Sequence, residues 1–173
     1  MKYKPILIAS FLTILLFFSK NVQSQQLLIK TADTVKIYAA LKIIKEFEPE
    51  IYFNILTQCI IQFGIIPDKP TVNFAISDEY NGEKRNWILL NQKLMNGHSN
   101  NIIATIIVHE AMHLGYNMGI YKNIESDNEE LVDKQEHTVI YNYELVFLKK
   151  IGASTSDIKS RKQIMKQLSI QII

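Results

Sequence analysis

Cysteine is nearly absent from this sequence, with Cys59 the only one among 173 residues. A single thiol excludes an intramolecular disulfide, so the fold depends on its hydrophobic core even in an oxidising compartment. Proline and glycine are also scarce, at four and six residues, and no internal repeat, low-complexity tract or linker interrupts the chain. These absences favour one domain rather than several.

The N-terminus has the three-part layout of a secretory signal peptide. A short cationic opening precedes an almost wholly apolar run, Pro5 to Phe18, and a polar stretch then leads to Ser24. The apolar run is shorter than the roughly 20 residues that a membrane span needs. We therefore expect residues 1–24 to be a signal peptide, residues 25–173 to be the mature domain, and the protein to be secreted or periplasmic in a bacterium. An uncleaved N-terminal membrane anchor is the alternative.

Excess charge of either sign is missing from the predicted mature chain. Loss of residues 1–24 removes three of the 19 basic residues and none of the 17 acidic ones, which leaves the chain close to neutral. A neutral balance gives no electrostatic reason to expect nucleic acid or an anionic membrane as a partner. We expect no nucleic-acid binding and no stable membrane association after cleavage, and nothing in the sequence indicates an oligomeric state.

Hydrophobic periodicity predicts an α+β fold in which helices dominate. A small β-hairpin, with its turn at Asn81-Gly82, is expected between the second and third helices. The predicted elements are helices at Thr34–Phe47, Glu50–Phe63, about 101–116, Glu129 to about Lys150, and a last helix capped by Ser156 or Asp157 that runs to about Ser169, with strands at Thr71–Ile76 and Trp87–Leu90.

The third predicted helix carries polar residues inside an otherwise apolar stretch, TIIVHEAMHLGY. Burying an imidazole or a carboxylate without a partner costs several kcal/mol, so these side chains need a specific interaction. His109 and His113 are four residues apart and therefore project from one face of a helix. That spacing suits two imidazole nitrogens about 2.0 to 2.1 Å from one zinc ion. Glu110 points to the side of the pair, where it can reach a water molecule without becoming a ligand.

The segment His109-Glu110-Ala111-Met112-His113 matches the H-E-x-x-H pattern, and the chain resembles the zincin superfamily of zinc metallopeptidases, in particular small secreted bacterial members. The resemblance implies a zincin-like domain with Zn²⁺ as cofactor, Glu110 as general base, and a peptide or protein substrate, with cell-wall peptide as one option. It also implies an edge strand beside the active-site helix, and Trp87–Asn91 looks like that strand. The alternative function is a catalytically inactive zinc-binding interaction or adhesion module on the same fold.

A third metal ligand is expected downstream, because catalytic zinc sites usually have three protein ligands and one open position. Tyr116 and Gly119 stand where the metzincin pattern has glycine and histidine, so that subclass is excluded. The remaining candidates lie on the helix that begins near Glu129. We favour His137, with Asp133 or Glu136 orienting its imidazole; Glu129 in a glutamate-type site, or Asp133 or Glu136 as the ligand itself, are the alternatives.

Other histidines and tyrosines carry weaker signals. His98 precedes the active-site helix and is expected to be an ordinary loop residue. Tyr116, Tyr141 and Tyr143 are candidates for a donor to the oxyanion formed during amide hydrolysis, and the sequence assigns the role to none of them.

Overall fold

The computed structural model describes residues 28–30, 34–64, 74–76, 79–80, 83–84, 86–122 and 128–172. The predicted class, a mostly helical α+β fold, is confirmed. In chain order the elements are β1 (Leu28–Lys30), α1 (Thr34–Phe47), α2 (Pro49–Asn54), a 3₁₀ turn (Leu56–Gln58), β2 (Cys59–Gly64), β3 (Phe74–Ile76), β4 (Glu79–Tyr80), β5 (Glu83–Lys84), β6 (Asn86–Asn91), α3 (Gln92–Met95), α4 (Asn100–Asn117), α5 (Glu129–Lys150) and α6 (Thr155–Gln167).

The described strands form a four-stranded sheet in the order β1-β2-β6-β3, which is larger than the predicted hairpin. β1, β2 and β6 run parallel, and β3 pairs antiparallel with β6. β4 and β5 continue the pairing of β3 with β6 in the same register, with Glu79 opposite Lys84. The hairpin predicted between residues 71 and 90 is therefore present, and its turn, Asn81-Gly82, lies outside the described residues.

The prediction that Trp87–Asn91 forms an edge strand is wrong. β6 has a hydrogen-bonded neighbour on each side, and Trp87, Leu89 and Asn91 are buried. A strand paired on both sides and covered on both faces is apolar along its whole length, which is what "WILLN" shows. Within the described part of the chain, the antiparallel edge of this sheet is β3 instead.

The predicted helix Glu50–Phe63 is also wrong in its second half. α2 ends at Asn54, and the chain enters β2 at Cys59 after one 3₁₀ turn. Ile60 and Ile61 are adjacent in sequence and both fully buried, because β2 lies between two parallel neighbours and is covered on both faces. Short apolar runs of this kind fit a buried helix and a buried strand equally well by periodicity alone.

The helix at Thr34–Phe47 has the predicted bounds, and one of its faces is buried. Ile37, Leu41 and Ile44 are buried in the core, whereas Val35 and Tyr38 are 76% and 60% exposed. This buried face packs against α4, which is buried on nearly all sides. α1 and the sheet therefore hold α4 in the middle of the domain.

Helix caps fix where α4 begins and ends. The Ser99 side chain accepts a hydrogen bond from the Ile102 amide, so Ser99 is the N-terminal cap. The chain leaves the helix at Gly119, whose φ of +69° is a conformation that favours glycine. Gly115 has a different role inside the helix, because the ring of Tyr121 folds back against it.

α5 has the predicted bounds, whereas α6 begins at a different cap from the one predicted. Asn128 caps α5 by accepting a hydrogen bond from the Leu131 amide, and α5 spans the predicted Glu129–Lys150. α6 begins earlier than predicted, because Ser154, two residues before Ser156, is the cap. Both serines suit a cap by residue type, so residue type alone could not choose between them.

No helix within the described residues is long and apolar enough to span a membrane. The predicted signal peptide at residues 1–24 lies outside them.

Candidate metal centre

Two histidines on α4 face each other across one helical turn. The Nε2 atoms of His109 and His113 are 3.2 Å apart. Two nitrogens that each lie 2.0 to 2.1 Å from a tetrahedral zinc ion are about 3.3 Å from one another. The pair predicted from the H-E-x-x-H spacing is thus at the separation that a shared zinc ion requires.

A carboxylate occupies the opposite nitrogen of each of these rings. His109 Nδ1 lies 2.8 Å from Glu144 Oε1, and His113 Nδ1 lies 2.5 Å from Glu136 Oε1. When these carboxyl groups are ionised, each accepts a hydrogen bond from Nδ1 and leaves the lone pair on Nε2, as in carboxylate–histidine–zinc arrangements. Both Nε2 lone pairs then point into the same space.

Both rings are neutral in this environment. Burial lowers the pKa of His109 to about 3, with the electrostatic effects of Arg161 and His137 adding to the shift. Burial and the neighbouring His109 lower the pKa of His113, against the opposing effect of its hydrogen bond to Glu136. Burial also raises the pKa of Glu144 to about 8, so in the metal-free protein its carboxyl group can donate to His109 Nδ1, and His109 Nε2 can then donate to His113 Nε2. A cation bound by both Nε2 atoms would instead favour the ionised carboxylate of Glu144.

His137 on α5 completes a three-histidine cluster. Each of the three side chains offers a ligand atom, and these atoms lie within 4.8 Å of one another. The His137 ring centroid is 4.8 Å from that of His113 and 5.8 Å from that of His109. His137 Nδ1 lies 2.9 Å from the backbone oxygen of Asp133, which leaves its Nε2 available as the third ligand.

The acidic alternatives for the third ligand are placed differently. The Asp133 side chain is 73% exposed, and its Oδ1 lies 3.2 Å from His137 Nδ1 rather than at the proposed metal position. Glu136 was expected to orient His137 or bind the metal, but it holds His113 instead. Glu129 begins α5, and its side chain lies outside the described residues. Among the described side chains, His137 is therefore the best-placed third ligand.

Glu110 is buried beside the cluster with 6% of its surface exposed. Burial and the neighbouring charge of Glu144 raise its pKa to about 8, although Arg161 opposes the shift. A divalent cation at the histidines would favour the ionised carboxylate instead. Glu110 follows His109 directly on α4, and its carboxyl group is buried.

Two residues of this centre, Glu144 and Arg161, were not predicted from the sequence. Tyr141 was considered as an oxyanion donor but not as a packing partner of the histidines. Glu144 is fully buried on α5, and Arg161 Nε on α6 lies 2.7 Å from its Oε2 in a contact whose angles are outside those of a hydrogen bond. The Tyr141 ring packs at 5.0 Å from His109 and is stacked on His137 at 6.3 Å. Glu144 lies seven residues after His137, two helical turns along the same face, so the stripe of candidate ligands on α5 could have been extended to it.

The remaining candidates have no ring contact with the histidine cluster. Burial and the neighbouring Glu48 raise the pKa of Tyr143, and Tyr116 packs against Tyr121 with ring centroids 5.4 Å apart. His98 is exposed in the loop before α4, as predicted. Of the three tyrosines considered as oxyanion donors, only Tyr141 has a ring in contact with the histidine cluster.

No protein-family model, curated protein or solved structure matches this chain. The case for the centre therefore depends on its own geometry.

Proposed function

We propose that the chain is a zinc-dependent peptidase in which His109, His113 and His137 bind Zn²⁺ and Glu110 is the general base. The observation that carries the proposal is the 3.2 Å separation of the His109 and His113 Nε2 atoms, on rings whose Nδ1 atoms are both held by carboxylates.

The proposed reaction is amide hydrolysis. When bound, zinc supplies Lewis acidity that lowers the pKa of water toward ~7 and polarises a peptide carbonyl. The Glu110 carboxylate accepts the proton of the attacking water and returns it to the leaving amine nitrogen. In the metal-free protein, burial and the charge of Glu144 raise the pKa of Glu110 to about 8, and a divalent cation at the histidines would lower it and so favour the carboxylate form that accepts a proton.

An extended peptide is the substrate class that the sheet supports. β3 lies against α4 and, within the described strands, has a hydrogen-bonded neighbour on one side only. A free strand edge can bind an extended chain through backbone hydrogen bonds. Peptide or protein substrates, including cell-wall peptides, therefore remain the proposed partners, with β3 in the role that the sequence suggested for Trp87–Asn91.

Substitution of Glu110 by Gln tests the enzymatic part of the proposal. The amide keeps the shape of the side chain but cannot accept a proton, so we expect hydrolysis of fluorogenic peptides to fall by about 10²- to 10⁴-fold while zinc content is unchanged. Glu46→Gln, an identical change at an exposed position on α1, is the control and should keep full activity.

Hydrolysis that survives Glu110→Gln would contradict the assignment of the general base. A wild-type protein that binds zinc stoichiometrically and hydrolyses neither denatured protein nor peptidoglycan would favour the alternative, a zinc-binding interaction or adhesion module.

Export is the proposed localisation. The supporting observation is the cationic, apolar and polar order of residues 1–24. N-terminal sequencing of the protein recovered from the periplasm or medium should begin at Gln25. Recovery of uncleaved chain in the membrane fraction would favour the N-terminal anchor instead.

A further inference from the structure

A buried line of contacts joins α6 to the metal centre. Arg161 on α6 reaches Glu144 Oε2 at 2.7 Å, and Glu144 Oε1 reaches His109 Nδ1 at 2.8 Å. The Glu144 side chain has no exposed surface and that of Arg161 has 8%. One carboxylate thus uses its two oxygens for two different partners, an arginine on one side and a candidate zinc ligand on the other.

Arg161 also contacts the ring that packs on the histidines. Its guanidinium lies over the Tyr141 ring, 5.5 Å from the centroid, and Tyr141 in turn packs against His109. Around this contact, Met165 and Ile170 bury apolar surface against Tyr141 and Leu145. The position of Arg161 is therefore set by a packed interface rather than by a flexible surface side chain.

We infer that Arg161 is a positioning residue for zinc binding, which acts through Glu144 on the orientation of His109. The inference rests on the proposed zinc site. A buried carboxylate without a cationic partner is strongly unfavourable, and Arg161 supplies that partner. With Oε2 held by Arg161, Oε1 stays aligned with His109 Nδ1, and the ring keeps its Nε2 directed at the metal position.

The direction in which zinc affinity changes when Arg161 is removed distinguishes this role from a direct electrostatic effect. A positive guanidinium near the site repels a divalent cation, so its removal alone should tighten zinc binding. A positioning role predicts the opposite, because the loss of an outer partner that orients a metal ligand typically weakens metal binding by about 10- to 100-fold.

Zinc dissociation constants of the purified chain, measured by competition with a chromophoric chelator, test the inference without reference to activity. We expect Arg161→Met to raise the Kd by about 10- to 100-fold. Lys162→Met removes the same charge from the next, exposed position of α6 and should leave the Kd within about twofold. Arg161→Lys keeps the charge without the planar guanidinium and should recover part of the loss.

A double-mutant cycle distinguishes action through Glu144 from general damage to the fold. In the Glu144→Gln background, Arg161→Met should change the Kd by less than about threefold, since the residue it acts through is already altered. If the double variant raises the Kd by the product of the two single-variant factors, the substitutions act independently and the inference is overturned. An unchanged or lower Kd in Arg161→Met would also overturn it.

Folding is checked on each variant by circular dichroism and thermal unfolding in the presence of EDTA. If Arg161→Met does not fold, the comparison of Arg161→Lys with Lys162→Met decides: a raised Kd in the first and not in the second supports the inference, and equal values overturn it. A wild-type chain that binds no zinc would overturn the proposed function together with this inference, whereas wild-type binding with an insensitive Arg161 would overturn the inference alone.

Discussion

We expect the buried carboxyl group of Glu110 to destabilise the metal-free protein at neutral pH. Its carboxyl group ionises near 4.5 when unperturbed, and burial raises that pKa to about 8 in the fold. Between these values the folded protein keeps a proton that the unfolded chain loses, so stability falls as the pH rises through this window. Each pH unit above 4.5 lowers the free energy of unfolding by about 1.4 kcal/mol, so at pH 7 the loss is about 3 kcal/mol.

Glu110→Gln removes this cost because an amide does not ionise. In EDTA, urea unfolding should show the variant to be more stable than wild type by about 3 kcal/mol at pH 7 and by almost nothing at pH 4. Added zinc should shrink the difference at pH 7, since a neighbouring divalent cation stabilises the wild-type carboxylate.

The exposed Glu46→Gln serves as the control and should show no such pH-dependent gain. Equal stabilities of Glu110→Gln and wild type at pH 7, or a difference that does not depend on pH, would refute the reasoning.

Three further predictions concern the scaffold. A Cβ at Gly115 would overlap the Tyr121 ring and lie 3.0 Å from Ile55 Cδ1, so Gly115→Ala should destabilise by about 1 to 3 kcal/mol in urea unfolding. In a Tyr121→Ala background the same change should cost less, because only the contact with Ile55 remains. Cys59 is buried and burial raises its pKa to about 12, so a thiol reagent should modify the native protein slowly and react with one equivalent after denaturation. Ser99→Ala removes the acceptor for the Ile102 amide and should lower the free energy of unfolding by about 1 kcal/mol. Rapid labelling of Cys59 in the native protein would contradict its burial. Unchanged stability of Gly115→Ala or Ser99→Ala would contradict the contacts described for those residues.

Local signals were sufficient for the elements that hold the centre. The bounds of α5 and the start of α4 follow from caps, Asn128 and Ser99, that act within one helical turn of the sequence. The spacing of His109 and His113 predicts their shared face for the same reason, since four residues make about one turn of a helix.

Features set by distant parts of the chain were not predictable. Ile60 and Ile61 belong to a strand because β1 and β6 pair on either side of it, and nothing within the segment says so. Arg161 meets Glu144 only because α6 packs back on α5, so neither the ion pair nor its link to His109 leaves a pattern in the sequence. The third ligand was predictable only in part. The sequence places the candidate residues on one face of α5, but which of them reaches His109 and His113 depends on how α5 packs against α4.

Zinc titration of the purified chain tests the central claim most directly. Wild type should bind one zinc ion per chain, and His109→Ala, His113→Ala and His137→Ala should each lose stoichiometric binding, while the exposed His98→Ala should retain it. A wild-type chain without zinc affinity, or a His137→Ala variant that binds as tightly as His98→Ala, would contradict the three-histidine centre.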